Sequence, residues 1–254
     1  MGSNTSLMRR LENCAASLIP GAGSLPFELR FAVYRRYFYS SKYRFAYLRI
    51  PKSANSTVVM TLCEAMARYE GSVLDLDRGF DGSQMAKKMA KQGFYPFIVN
   101  ELRGAATFRF TFVRNPFTRI LSAYLDKIAQ PQAVFLQDLG IEQQQPLTFL
   151  EFLQRLDQGF LNANAHWAPQ AVMFNPATFD FIGRVETLER GMAHVLEHVF
   201  GTAGALLATK EAGRRNTVAL LTQYYGEAEC RLVQKLYAAD FDRFFPNPHE
   251  VFGT

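Results

Sequence analysis

Two short segments of the chain carry residue types suited to an anionic ligand. The first is Pro51-Lys52-Ser53-Ala54-Asn55-Ser56-Thr57, a polar run between an aromatic-aliphatic stretch and a helical one. Where a strand hands over to a helix, the unpaired N–H groups of the first helical turn and the positive end of the helix dipole face the loop and attract an anion. Lys52 adds a full charge, the Ser56 and Thr57 hydroxyls add donors, and Ser53 and Asn55 complete the polar side chains of the loop. A unit charge about 4 Å from a phosphate contributes roughly 4 kcal/mol at an effective dielectric near 20, more than the dipole, so Lys52 dominates such a site. No glycine frames the run and its lysine precedes the hydroxyls, so it is not a Walker-type loop. Read alone, it is equally an ordinary capped turn with an exposed lysine.

The second segment is Val113-Arg114-Asn115-Pro116-Phe117-Thr118-Arg119-Ile120-Leu121-Ser122-Ala123-Tyr124. It places Arg114 at the carboxyl end of a strand and Ser122 two turns along the next helix. Ligands of parallel sheets bind beyond the carboxyl ends of strands, which brings Arg114 to the same crevice as Lys52. Its planar fork suits phosphate, and Ser122 offers a second donor. Alone, Arg114 could close a strand and Ser122 could bond its own helix backbone. Taken together, the two segments suit a ligand with two separated phosphate-like groups.

The elements that must position these residues are legible in the apolar pattern. Phe45 to Ile50 reads as a strand ended by Pro51, followed by Val58, Leu62, Met66 and Tyr69 at helical spacing. Thr107 to Val113 reads as a second strand. Pro116 then opens a helix whose Phe117, Ile120, Leu121, Tyr124, Leu125 and Ile128 form one apolar stripe. Phe179 to Gly183 begins a third unit, with Leu188, Met192, Val195, Leu196 and Val199 on its helix. Alternation of this kind predicts an α/β domain, a parallel sheet flanked by helices. Further helices are expected around 147–156 and 227–239. Residues 1–44 read as a basic, aromatic extension packed on the body, with a short helix over Phe31 to Tyr43, and residues 45–254 as one domain.

Composition narrows the class. The 254 residues are 48% hydrophobic, enough for a sizeable core, and the net charge is +5. The charge is uneven: residues 1–52 hold nine Lys and Arg against two acids, and the rest is near neutral. Such a basic front suggests an anionic ligand nearby, though a solvated basic face gives the same count. Three separated cysteines, Cys14, Cys63 and Cys230, make no disulfide framework or metal pair, which points to a reducing compartment. Without an apolar run of spanning length or a signal-peptide pattern, the expectation is a soluble, cytoplasmic chain with no membrane span. Met1-Gly2-Ser3-Asn4-Thr5-Ser6 fits the N-myristoylation pattern, which is short and common by chance.

The segments PKSANST and VRNPFTRILSAY resemble the phosphosulfate loop and 3′-phosphate motif of sulfotransferases that use 3′-phosphoadenosine 5′-phosphosulfate (PAPS). They are most similar to the carbohydrate sulfotransferase (family 2) type. His166-Trp167-Ala168-Pro169-Gln170, Phe179 through Leu188, and Leu236-Tyr237-Ala238-Ala239-Asp240-Phe241 extend the resemblance over roughly residues 45–245. It implies a P-loop-kinase-like sulfotransferase fold. Lys52, Ser56 and Thr57, with Ser53 and Asn55 of the same loop, would bind the 5′-phosphosulfate, and Arg114 and Ser122 the 3′-phosphate. Arg215 falls where related enzymes bring a late basic loop over the nucleotide. The implied reaction is in-line attack on sulfur by an acceptor hydroxyl or amine, with a carbohydrate hydroxyl expected, the leaving phosphate stabilised by Lys52 and the loop amides and no metal required. Many relatives carry a His or Glu base between the two motifs, but no His lies there in this chain. Glu101 is the acid best placed by order, and His166 is the alternative base. Golgi members carry a membrane anchor and paired cysteines after the Pro-Gln segment. Here that stretch is Ala171-Val172-Met173-Phe174-Asn175, which implies a bacterial cytoplasmic setting.

Two other readings compete. His194-Val195-Leu196-Glu197-His198 matches the inverted zinc-protease pattern, with solvated histidines one helical turn apart as the simpler account. A binding module for PAPS or another polyanion that has lost catalysis would also use the basic residues. No nucleic-acid fold signature accompanies them, so no nucleic-acid partner is expected.

Overall fold

The computed structural model describes residues 27–71, 106–130, 132–142, 146–202 and 217–252. After a helix over Phe27–Tyr34 (α1), its sheet runs through Tyr37–Ser40 (β1), Phe45–Leu48 (β2), Phe108–Val113 (β3) and Phe181–Arg184 (β4), in that spatial order. Strands β2, β3 and β4 are parallel, with Phe45 opposite Phe108 and Phe112 opposite Gly183. β1 is antiparallel to β2, with Tyr37 opposite Leu48. The expected parallel sheet is therefore mixed, with one antiparallel edge.

That edge corrects the reading of Phe31 to Tyr43 as a helix lying on the body. The helix ends at Tyr34, and Tyr37-Phe38-Tyr39 pairs with β2. Aromatic residues favour the pleated, half-buried surface that β2 offers, and tertiary pairing outweighs the local helical pattern. The sheet thus begins before residue 45.

Side-chain alternation divides the interior into two layers. Phe45 and Tyr47 of β2 and Phe108, Phe110 and Phe112 of β3 face the helices Asn55–Tyr69 (α2) and Leu188–Phe200 (α5). Ala46, Leu48 and Val113 face the opposite layer, where Pro116–Lys127 (α3), Phe149–Arg155 (α4), Glu227–Leu236 (α6) and Ala238–Phe244 (α7) pack around the fully buried Trp167. Every residue of the stripe read from Phe117 to Ile128 is buried. The single helix expected over 227–239 is two, broken at Tyr237, whose buried hydroxyl donates to the Trp167 carbonyl at 2.6 Å. Gly183 permits the closest approach in the sheet: a Cβ there would lie 2.4 Å from the Phe112 ring.

Candidate active site

The loop between β2 and α2 is shaped by two non-glycine residues in the left-handed region, Lys52 (φ 68°) and Ala54 (φ 55°). Each costs on the order of 1–3 kcal/mol, and such strain concentrates where a backbone must present itself to a ligand. Ala54 is the N-cap of α2 and provides no side-chain cap, and no acid occupies the first turn. The leading N–H groups of α2 therefore keep their capacity for an anion. The next junction is built differently. Asn115 caps α3 with its own Oδ1, which accepts from the Phe117 N–H at 3.0 Å, so the anion-binding capacity there rests in the Arg114 side chain.

Arg114 joins the two junctions. Its Nη1 donates to the Lys52 carbonyl at 3.1 Å, its Nε to Thr118 Oγ1 at 3.1 Å, and its Nη2 to Thr217 Oγ1. Among the described residues these contacts use three of the five guanidinium N–H groups. Burial pulls Arg114 down to about 10, eased by Glu186 and reinforced by Arg119, so it is charged at neutral pH. Thr118, Ser122 and Asp126 follow one another at four-residue spacing on α3, a polar stripe that begins at Arg114 and ends at Lys52. The Lys52 ammonium, 18% exposed, meets Asp126 Oδ2 at 3.1 Å, and Lys127 meets the same oxygen at 3.1 Å. Burial lowers the Lys52 pKa, with Asp126 opposing the shift and Lys127 and Arg114 adding to it. Burial also pushes Asp126 up, but attraction to Lys52 and Lys127 wins and holds it below the ordinary carboxylate value.

The other loop residues divide. Ser56 is exposed and Thr57 half-buried on the first turn of α2. The Asn55 Oδ1 accepts from the Tyr47 hydroxyl at 2.9 Å, which anchors its amide at the helix start. Ser53 does not face the ligand side as expected: it is fully buried, and its hydroxyl donates inward to Gln170 Oε1 at 3.3 Å. Ser53 lies in a turn between the left-handed Lys52 and Ala54, with its N–H donating to the Ile50 carbonyl at 3.2 Å, and it falls on the core side where Gln170 waits. Glu101 and Arg215 lie outside the described residues.

His166 stands at the edge of this group. Its backbone N–H, which can only donate, meets Asn164 Oδ1 at 2.9 Å, and its ring Nδ1 lies 2.7 Å from the same oxygen. Asn164 Nδ2 in turn donates to Asp138 Oδ2 at 2.6 Å. The Nδ1 therefore carries the proton and Nε2 the lone pair. Burial, then the fields of Arg36, Lys127, Lys52 and Arg119, hold the imidazole down at about 3.

Behind the loop lies a buried polar network that the sequence reading did not assign. Arg119 is fully buried and donates to the carbonyls of Pro51 (3.1 Å), Ala168 (2.9 Å) and Ala165 (3.1 Å), tying the Lys52 loop to the His166 loop. Gln170 bridges Arg114 through both backbone groups, accepting from its N–H at 2.9 Å and donating to its carbonyl at 2.8 Å. Asp240 accepts from the N–H groups of Gln170 (2.9 Å) and Ala171 (2.6 Å). Here the Pro-Gln segment and the C-terminal Tyr-Ala-Ala-Asp-Phe segment meet. Their polar residues within apolar runs were the available signal.

The proposed protease histidines do not converge on a metal site. His198 stacks on Phe108 with centroids 4.0 Å apart, and His194 lies against Phe181 at 4.7 Å. Among the described residues no cluster of His, Cys, Asp or Glu could hold a metal, and no helix is long and apolar enough to cross a membrane.

The model of the Sulfotransferase family matches residues 35–246 of the chain. Carbohydrate sulfotransferase 14 of Mus musculus is 30% identical over 193 residues, covering 69% of this chain and 49% of that protein, and its Homo sapiens counterpart gives the same figures. Carbohydrate sulfotransferase 14 of Danio rerio is 27% identical over 239 residues, 83% of this chain and 62% of that protein. The chain thus spans about half the length of the mammalian relatives. No solved structure gives a significant match.

Proposed function

The chain belongs to the sulfotransferase family, and from that premise we propose that it transfers a sulfonate group from PAPS to a hydroxyl of a carbohydrate. The observation that carries this reading is the contact between Arg114 and the Lys52 carbonyl at 3.1 Å, which joins two cationic strand ends into one crevice. A donor with two phosphate-bearing ends fits that crevice. The leading N–H groups of α2, Lys52, Ser56 and Thr57 serve the 5′ end, and the Arg114 guanidinium with Ser122 serves the 3′-phosphate. The similarity to carbohydrate sulfotransferase 14 supports a sugar acceptor.

PAPS supplies an electrophilic sulfur with a phosphate leaving group. Lys52 and the loop amides stabilise the charge that develops on that phosphate, in a partly buried site where such donors count for more than in water. His166 Nε2, kept unprotonated by the Asn164 contact, takes the proton of the acceptor hydroxyl. Lys52 is one of the cations that depress His166, and an anionic donor bound at Lys52 offsets it, so donor binding raises the basicity of His166 when a base is needed. Asp126 holds the Lys52 ammonium until the donor takes it over. The free thiols of Cys63 and Cys230 support a reducing, cytoplasmic setting.

Calorimetric titration with 3′-phosphoadenosine 5′-phosphate (PAP), with adenosine 5′-phosphate as control, tests the reading. Micromolar binding that requires the 3′-phosphate is expected, and Arg114→Ala should abolish the preference. Equal affinity for the two nucleotides, or none for either, refutes it.

A further inference from the structure

A cavity of about 620 Å³ opens between the ends of β3 and β4, the short turn before β4 and the last turn of α7. Its floor is apolar, built from Val113, Ile182, Phe244 and Pro176. Val113 and Phe244 are buried members of the layer around Trp167, and Ile182 packs against that layer. Small-ligand sites are built this way, with roughly 300–1,000 Å³ of space, an apolar lining and a few placed polar groups.

The polar groups at its mouth are all donors with capacity to spare. Arg184 stands opposite Val113 on the β3–β4 ladder, so the two side chains share a face of the sheet. Its guanidinium lies over the Phe245 ring at 5.0 Å, and Glu250, its ion-pair partner, is 3.7 Å away, beyond hydrogen-bond reach. Arg243 uses Nη1 on the Ala171 carbonyl at 3.1 Å. Asn175 Oδ1 accepts from the Ala177 N–H at 3.1 Å, which fixes the amide and leaves Nδ2 without a partner among the described residues. Glu186, two residues beyond Arg184, is already engaged by the Asn115 N–H at 2.8 Å. Two cations and an amide therefore face the cavity against one distant carboxylate. The ring under Arg184 and the carbonyl on Arg243 hold both guanidinium groups in place, so an incoming anion orders little that is free.

This cavity is separate from the donor crevice. None of Lys52, Ser56, Thr57, Arg114 and Ser122 lines it. Val113 packs into the layer around Trp167, whereas the side chain of the next residue, Arg114, is spent on the Lys52 carbonyl, Thr118 and Thr217. His166, the base of the proposed reaction, does not line it either.

We propose that the cavity is a second binding site, for a small organic anion with an apolar body. The body covers Val113, Ile182 and Phe244, and the anionic head, a carboxylate or sulfonate, takes the N–H groups of Arg184, Arg243 and Asn175. The site goes beyond the sulfotransferase reading and is occupied independently of the donor.

The test is a fluorescence titration of the full chain with anilinonaphthalene sulfonate, an apolar body carrying one anionic head, and with phenylnaphthylamine, the same body without the charge. Saturable binding of the sulfonate is expected, about tenfold or more tighter than that of the uncharged analogue, the effect of one charge-assisted hydrogen-bonding group. Saturating PAP should leave it unchanged. Arg184→Gln combined with Arg243→Gln should weaken the sulfonate about tenfold or more while leaving the uncharged analogue as it was. Ala177→Trp, which keeps both charges and puts a bulky ring on an exposed lining residue, should weaken both probes. Absence of sulfonate binding, equal affinity for the two probes, or unchanged sulfonate binding in either variant overturns the proposal. Displacement of the sulfonate by PAP would put it in the donor crevice and also overturn it. Failure of PAP itself to bind refutes the sulfotransferase reading alone, and the probes and variants then decide this proposal unaided.

Discussion

Replacing Arg119 by Met removes a guanidinium that nothing else in the core can imitate. Three carbonyls, those of Pro51, Ala165 and Ala168, lose their donor at once, and the buried Asp240 loses the cation that opposes its desolvation. A stranded buried acceptor costs about 1–3 kcal/mol. Carbonyls keep a second lone pair and the loops can relax, so about 1 kcal/mol each is the appropriate end of that range. With roughly 1 kcal/mol more for Asp240, the loss is about 4 kcal/mol, within the range for breaking a buried charged network. For a chain of this size that is a fall in melting temperature on the order of 10 °C. Scanning calorimetry of the two proteins measures it directly. Arg119→Lys, which keeps the charge but not the three-way geometry, should fall between them. The Pro51 carbonyl anchors the loop that carries Lys52, so Arg119→Met should also weaken PAP binding under conditions where the variant is folded. A melting temperature within about 2 °C of the unaltered protein would refute the reasoning, because it would mean the three carbonyls find other donors.

Three further outcomes are expected. Lys52→Ala should lower turnover on the order of 10²-fold or more, as loss of an oxyanion donor does, and near-normal kcat in a steady-state assay would remove Lys52 from the chemistry. His166 is held at about 3 against an ordinary value near 6.5, so between those limits the unfolded chain binds the extra proton and stability falls as pH falls. His166→Gln should therefore flatten the dependence of unfolding free energy on pH from 6.5 down to 3, by up to about 1.4 kcal/mol per pH unit, in urea titrations at stepped pH. An unchanged slope would show that the imidazole is not shifted. Gly183→Ala places a Cβ against Phe112, itself fully buried, and should cost about 1–3 kcal/mol by overpacking, read as a lower urea midpoint at constant m-value.

Much of the architecture is local and could be read from the chain. Phe45 to Leu48 and Phe108 to Val113 are strands because their apolar and β-branched side chains fit a sheet covered on both faces, and the Phe117 to Ile128 stripe is a helix because its period is helical. The positions of Lys52 and Arg114 at strand-to-helix junctions were legible for the same reason: such a junction is a local event. Where local preference met a tertiary alternative, the sequence reading failed. Residues 37–40 joined the sheet edge, and Ser53 turned to Gln170, which is 117 residues away in the chain.

By itself, then, the sequence determined most of the strands and helices and marked two junctions whose residue types suit an anion, since periodicity and junction chemistry act over a few residues. Only the tertiary structure decided how those junctions share one crevice. The Arg114 contact with Lys52 spans 62 residues, the Arg119 bond to Pro51 spans 68, and the Asp240 bonds to Gln170 span 70. It also decided which guanidinium groups are satisfied and that Arg36 is not. An arginine in the chain is only a positive charge. Whether it is a strut or is left with a donor unmet depends on which carbonyls and carboxylates the fold brings within about 3 Å of it, and that is a property of packing.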